Sequence, residues 1–118
     1  MLTATTPTIE FKRKGLTHLQ LQQVLDYIQT HIDRDLSLAE LAETLNLSPT
    51  YFASAFKQAI EVSPHQYVIQ QRVERAKLML SKTDLAIADI ALQVGFSSQS
   101  HLTQQFKRLT GMTPKQIR

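Results

Sequence analysis

One short pattern occurs twice in this chain, once on each side of a single long helix-forming stretch. Ile87, Ile90, Ala91 and Val94 repeat Leu38, Leu41, Ala42 and Leu45 at an offset of 49. Ser98, Leu102, Phe106, Lys107 and Pro114 repeat Ser48, Phe52, Phe56, Lys57 and Pro64 at an offset of 50. One residue is therefore inserted in the second copy, near Ser97, just after Gly95-Phe96 takes the place of Asn46-Leu47. A repeat constrains the fold strongly, because both copies must form the same supersecondary unit.

The stretch between the copies, Pro64 to Lys82, places Tyr67, Ile69, Val73, Ala76 and Leu80 at helical spacing. Pro64 suits a first helical turn, and neither Gly nor Pro interrupts before Lys82. A helix of about 18 residues is expected here, roughly 27 Å long. Upstream, Leu19 to Ile32 forms another helix with its stripe at Leu21, Val24, Leu25, Ile28 and Ile32. Ser37 with Glu40 reads as a capping box opening a short helix whose inward residues are Leu38, Leu41, Ala42 and Leu45. Ser48-Pro49 starts the next helix, with Phe52, Phe56 and either Ala55 or Ala59 facing inward. Gly111 caps the matching helix of the second copy, and Pro114 to Arg118 is a last helical turn.

Met1 to Thr17 is rich in Thr and lacks a helical period, so it reads as an arm or linker. Its Phe11-Lys12-Arg13-Lys14 run is either a solvated tail or a phosphate-reaching one. A linker-like start also predicts a piece of a longer protein. The domain proper is expected over 18–118, with units at about 36–60 and 86–110 flanking the helix at 64–82.

An all-α fold follows, because 42% apolar residues support a core and three Gly with four Pro are too few for a turn-rich β fold. The absence of cysteine excludes disulfides, thiolate zinc sites and a thiol nucleophile. His18, His31, His65 and His101 lack metal-ligand spacing, and no Ser-His-Asp order or Gly-rich phosphate loop stands out. No enzyme, cofactor or metal is expected. No apolar run approaches the roughly 20 residues of a membrane span, so a cytoplasmic, nucleoid-associated protein is expected. The net charge of +3 is unevenly spread. Residues 1–68 carry five basic against seven acidic side chains, −2, and residues 69–118 carry eight against three, +5.

A helix of two turns, a tight turn often holding Gly, and a longer helix form a helix-turn-helix, whose second helix enters the DNA major groove. Two such heads must stand about 34 Å apart to reach successive major grooves. The central helix is of the right size to set that distance.

The residues also carry a resemblance. Ile87 to Arg118 resembles the signature of the AraC family of bacterial transcription regulators in Ile90-Ala91, Val94-Gly95-Phe96, Ser98, Ser100, Phe106-Lys107, Gly111, Thr113-Pro114 and Arg118. Leu36 to Val68 resembles that family's first helix-turn-helix, and RVERAKLML (residues 72–80) its linker helix. The resemblance implies seven helices, with recognition helices at 49–60 and 98–110 reading adjacent major-groove segments of double-stranded promoter DNA. It further implies RNA polymerase as a partner and an upstream effector-binding or dimerisation domain. Three positions depart from the pattern. Glu61 stands where a Gly is common and should end its helix differently, Leu102 replaces an aromatic, and Ala86 replaces a capping Ser.

By helix phase, Thr50, Ala53 and Ser54 on the first recognition helix and Gln99, Ser100, Thr103 and Gln104 on the second face away from the core, and the resemblance points to the same positions as base-facing. Gln pairs bidentately with adenine, and Thr or Ala touches the thymine methyl. Lys57, Lys107, Arg108, Lys115 and Arg118 are the expected phosphate contacts. Arg72 and Arg75 either join them, or one of the two pairs inside the fold with Glu74, Asp84 or Asp89. The competing reading is a helical protein-interaction module with this fold and little DNA binding, favoured by short side chains on the first recognition helix and a negative first half.

Overall fold

The computed structural model describes residues 15–118, which form seven helices: α1 His18–Thr30, α2 Leu38–Glu43, α3 Pro49–Ile60, α4 Pro64–Lys82, α5 Ile87–Gln93, α6 Gln99–Thr110 and α7 Pro114–Ile117. No strand occurs among the described residues. The Phe11-Lys12-Arg13-Lys14 run lies outside them. The chain divides into two compact units, the first from the described residues up to Thr30 with Leu36–Tyr67, the second from His31–Asp35 with Val68–Arg118.

Helix starts follow from short hydroxyl side chains that accept the free N–H groups of the first turn. Ser37 Oγ accepts from Glu40 N–H, Ser48 Oγ from Tyr51, Ser63 Oγ from Gln66, and Ser98 Oγ from His101. Thr17, expected in the arm, is the cap of α1: it exchanges 3.0 Å bonds with Gln20 in both directions. Thr113 and Gln116 form the same reciprocal box on α7. Ala86 alone stands at a cap position without a side-chain bond, on α5.

In the first unit, Val24, Ile28, Leu41, Ala42, Leu45, Phe52, Ala55 and Phe56 are buried. Phe56 meets Phe52 at 5.6 Å and the edge of Tyr67 at 5.7 Å between ring centroids. The Tyr27 hydroxyl donates to the Glu40 carboxylate, tying α1 to α2. One inward assignment is corrected. Leu38 is 40% exposed, because it opens a six-residue helix and its side chain leans back beyond the first turn. Of the two alanines left open on α3, Ala55 faces the core and Ala59 is exposed.

The second unit is built on α4. Ile69, Val73, Ala76 and Leu80 pack with Ile90, Ala91, Val94, Phe96, Leu102 and Phe106. Leu102, in place of an aromatic, is fully buried.

The duplication extends to single hydrogen bonds. Leu47 N–H donates to Ala42 O at 3.1 Å and Phe96 N–H to Ala91 O at 2.9 Å; Asn46 N–H donates to Glu43 O and Gly95 N–H to Leu92 O. Both are the paired bonds of a helix ending on a left-handed residue, Asn46 at φ 58° and Gly95 at φ 102°. The ends of α3 and α6 also agree. Glu61 at φ 68° and Gly111 at φ 82° donate to Lys57 O and Lys107 O at 2.7 and 2.8 Å. Glu61 was expected to end its helix differently. It adopts the glycine geometry instead, at a conformational cost of about 1–2 kcal/mol.

Gly95 is required for a second reason. A Cβ there would lie 2.3 Å from Ile32 O and 2.6 Å from Arg72 Nε. Gly95→Ala is expected to lower stability by more than about 3 kcal/mol, through the left-handed backbone and the displaced buried cation. Ala86→Ser, at a cap whose backbone is already extended (φ −62°, ψ 147°), is expected to raise it by about 0.5–1 kcal/mol. Thermal melts followed by circular dichroism measure both.

Candidate nucleic-acid interface

Each unit presents the outer face of one helix that starts at a serine cap and is held from beneath by two aromatic or aliphatic anchors. On α6, Leu102 and Phe106 are buried, and Gln99, Ser100, Gln104, Lys107 and Arg108 are exposed on the other side. Thr103 is half-buried between the two faces. Ser98, Gln99, Ser100, His101, Thr103 and Gln104 line a shallow depression over the first turns. His101 packs edge-on against Phe96 with centroids 5.0 Å apart, which keeps its ring at the margin of that depression. Amides and hydroxyls in this setting offer both donors and acceptors, as base edges require.

On α3, Phe52, Ala55 and Phe56 are buried. Thr50, Ser54 and Lys57 are exposed and Ala53 is half-buried. Thus the structure brings both expected base-facing sets to the surface, each on one helix. It also leaves Tyr51 43% exposed at the start of α3, a residue that the helical pattern did not single out. The signal was present in the sequence, because Tyr51 is the neighbour of the buried Phe52 and must point elsewhere.

The cations divide into two kinds. Lys57, Lys107 and Lys115 are exposed. Arg108 is exposed too, and its Nε donates to Gln105 Oε1 at 2.9 Å along α6. Arg118 is different. Its guanidinium donates to Leu80 O, Thr83 O and Leu85 O at 2.5–3.3 Å, closing carbonyls at and beyond the C-terminus of α4. A cation suits that end of the helix dipole.

Arg72 takes neither of its expected roles. Its side chain is buried, and it donates from Nε to Ile32 O at 3.0 Å and from Nη2 to Arg34 O at 2.7 Å. Its partners are therefore backbone carbonyls rather than Glu74, Asp84 or Asp89. Burial lowers its pKa from the usual arginine value, and the nearby Asp35 and Asp33 carboxylates oppose that shift. The Tyr67 hydroxyl is pushed above its ordinary value by burial, with a hydrogen bond involving Gln29 pulling the other way. Among the described residues, no group of three or more His, Cys, Asp or Glu stands together to hold a metal, and no helix is long and apolar enough to cross a membrane.

A family model described as a helix-turn-helix domain matches residues 41–118, which include both exposed recognition helices. The chain belongs to the AraC-type helix-turn-helix family. Its fold is similar to that of a transcriptional regulator with an AraC-type DNA-binding domain from Chromobacterium violaceum, at a TM-score of 0.80 and 27% identity, covering 85% of this chain and 89% of that one. It is similar to the DNA-binding domain of AdpA, a global transcriptional factor solved in complex with a target DNA, at a TM-score of 0.78 and 27% identity, covering 82% of this chain and 87% of that one. An uncharacterized HTH-type transcriptional regulator of Staphylococcus aureus (strain COL) is 43% identical over 99 residues, which is 84% of this AraC-type chain. The chain spans 13% of that relative's length.

Arg118→Ala is expected to lower stability by about 1 kcal/mol, since these partly solvated charge-assisted bonds are individually modest. In a domain of about 100 residues that is a fall of roughly 4–8 °C in Tm, read by differential scanning calorimetry.

Proposed function

We propose that this chain is a sequence-specific DNA-binding module of a transcription regulator, with α3 and α6 each reading one of two adjacent major-groove segments of double-stranded promoter DNA. The observation that carries this reading is the exposed face of α6. Gln99, Ser100, Thr103 and Gln104 cluster on it with no charge among them, followed by Lys107 and Arg108 in the last turn. Base edges need paired neutral donors and acceptors, and the flanking phosphates need cations. Thr50, Ala53 and Ser54 take the same part on α3. Neither set holds an Arg, so guanine contacts are few and the site is read in part through A·T pairs and groove shape.

Lys57, Lys107, Arg108 and Lys115 serve as phosphate contacts. Arg118, taken up by backbone carbonyls, contributes its charge to the field and its hydrogen bonds to α4. The chain works without catalysis, cofactor or metal. In the whole protein, a separate upstream domain supplies effector sensing or dimerisation, and RNA polymerase is the downstream partner. The AdpA domain, similar in fold and held on target DNA, supports the reading.

Selection of sites from randomised duplex DNA with this chain tests it. Enrichment of a site with two short elements is expected, with affinity falling steeply as salt rises. Gln99→Ala and Gln104→Ala should each relax preference at one element by about 1–3 kcal/mol. Lys107→Ala should weaken all sequences alike and reduce the log–log salt slope by about 0.9. Enrichment of no sequence, or unchanged specificity in both glutamine variants, would defeat the assignment.

A further inference from the structure

We infer that the two helix-turn-helix units are unequal: the second anchors the chain on DNA, and the first adds a weaker preference to a duplex already held. The inference rests on the DNA-binding reading above and specifies how that site divides its work.

Charge is the first ground. Over Met1–Thr30 and Leu36–Tyr67, the sequence sets Lys12, Arg13, Lys14 and Lys57 against Glu10, Asp26, Glu40, Glu43 and Glu61, a net of −1. The second unit holds nine Lys and Arg against Asp33, Asp35, Glu74, Asp84 and Asp89, a net of +4. Duplex DNA carries one negative charge per roughly 1.7 Å of axis. Within a Debye length of about 8 Å at physiological salt, the second unit is drawn to it and the first is not.

The matched helix ends sharpen the contrast. Glu61 and Gly111 share one backbone geometry and one hydrogen bond, to Lys57 O and Lys107 O respectively. The first therefore closes a helix bearing one cation with a carboxylate, and the second closes a helix bearing Lys107 and Arg108 with no side chain at all. Electrostatics differ here while the fold does not.

Side-chain reach is the second ground. Gln99 and Gln104 end in amides that donate and accept at once, and a bidentate amide–adenine pair discriminates by roughly 5- to 150-fold. Thr50 and Ser54 carry single hydroxyls and Ala53 a methyl. Those groups sort bases less sharply and stay nearer the helix.

The test uses the full chain and the duplex it selects. The element whose preference changes in Gln104→Ala is assigned to α6, and each element is then scrambled separately. Scrambling the α6 element should cost at least about 30-fold in affinity, within the range of one to two lost bidentate contacts, and scrambling the other less than about 5-fold. Hydroxyl-radical footprints taken at rising salt should lose the second element's protection last. Lys57→Ala should reduce the salt slope by less than half of the roughly 0.9 expected for Lys107→Ala. Equal losses from the two elements, or equal slope changes, would overturn the inference and leave DNA binding intact. Failure to enrich any site would instead strike the DNA-binding reading itself.

Discussion

A buried guanidinium holds the second unit in shape. Arg72 occupies the apolar side of α4, between Val68 and Ala76 in helical phase, where a hydrocarbon would ordinarily stand. It survives there because Ile32 and Arg34 offer carbonyl oxygens at 3.0 and 2.7 Å, and because Asp35 and Asp33 lie close enough to favour its charge. Arginine remains protonated even where burial lowers its pKa. An uncompensated charge in its place would cost about 3–5 kcal/mol. The same constraint explains the turn between α5 and α6. Gly95 is where the Ile32 carbonyl and the guanidinium come within the space of a single Cβ. The turn that sets the start of the recognition helix and the one buried charge of the described chain are thus a single packing problem.

The first unit solves the same backbone problem without that charge. Asn46 replaces Gly95 in the left-handed position, which an Asn side chain tolerates, and Glu61 replaces Gly111 in another. The bonds donated by Asn46, Leu47 and Glu61 match those donated by Gly95, Phe96 and Gly111 across the repeat. Equivalent backbone geometry with different side chains is what lets the two units differ in charge. The inserted Ser97 changes only the length of the turn, since Ser48 and Ser98 both cap the helix that follows.

Much of this was legible in the chain. The long helix was expected at 64–82 and runs Pro64–Lys82. Ser37, Ser48 and Ser98 stood as caps because a hydroxyl before an apolar run has one good use. The faces of α3 and α6 followed from the burial of Phe52, Phe56, Leu102 and Phe106, which leaves each opposite face to solvent. Less legible was Arg72, since periodicity assigns charge outward and the partners it needed lie some forty residues upstream. Arg118 was read as a phosphate contact because a terminal cation in a basic segment has no visible partner in sequence; its three carbonyls are 33–38 positions away. Leu38 falls on the inward spacing of Leu41, Ala42 and Leu45, but as the first residue of a six-residue helix it has no turn before it to pack against.

By itself, then, the sequence determined the helices, their caps and the outward faces, because each depends on groups within about four positions of one another. Only the tertiary structure decided that Arg72 and Arg118 are held by backbone carbonyls of the fold. That choice depends on where distant backbone carbonyls are left without partners, and no local pattern records it.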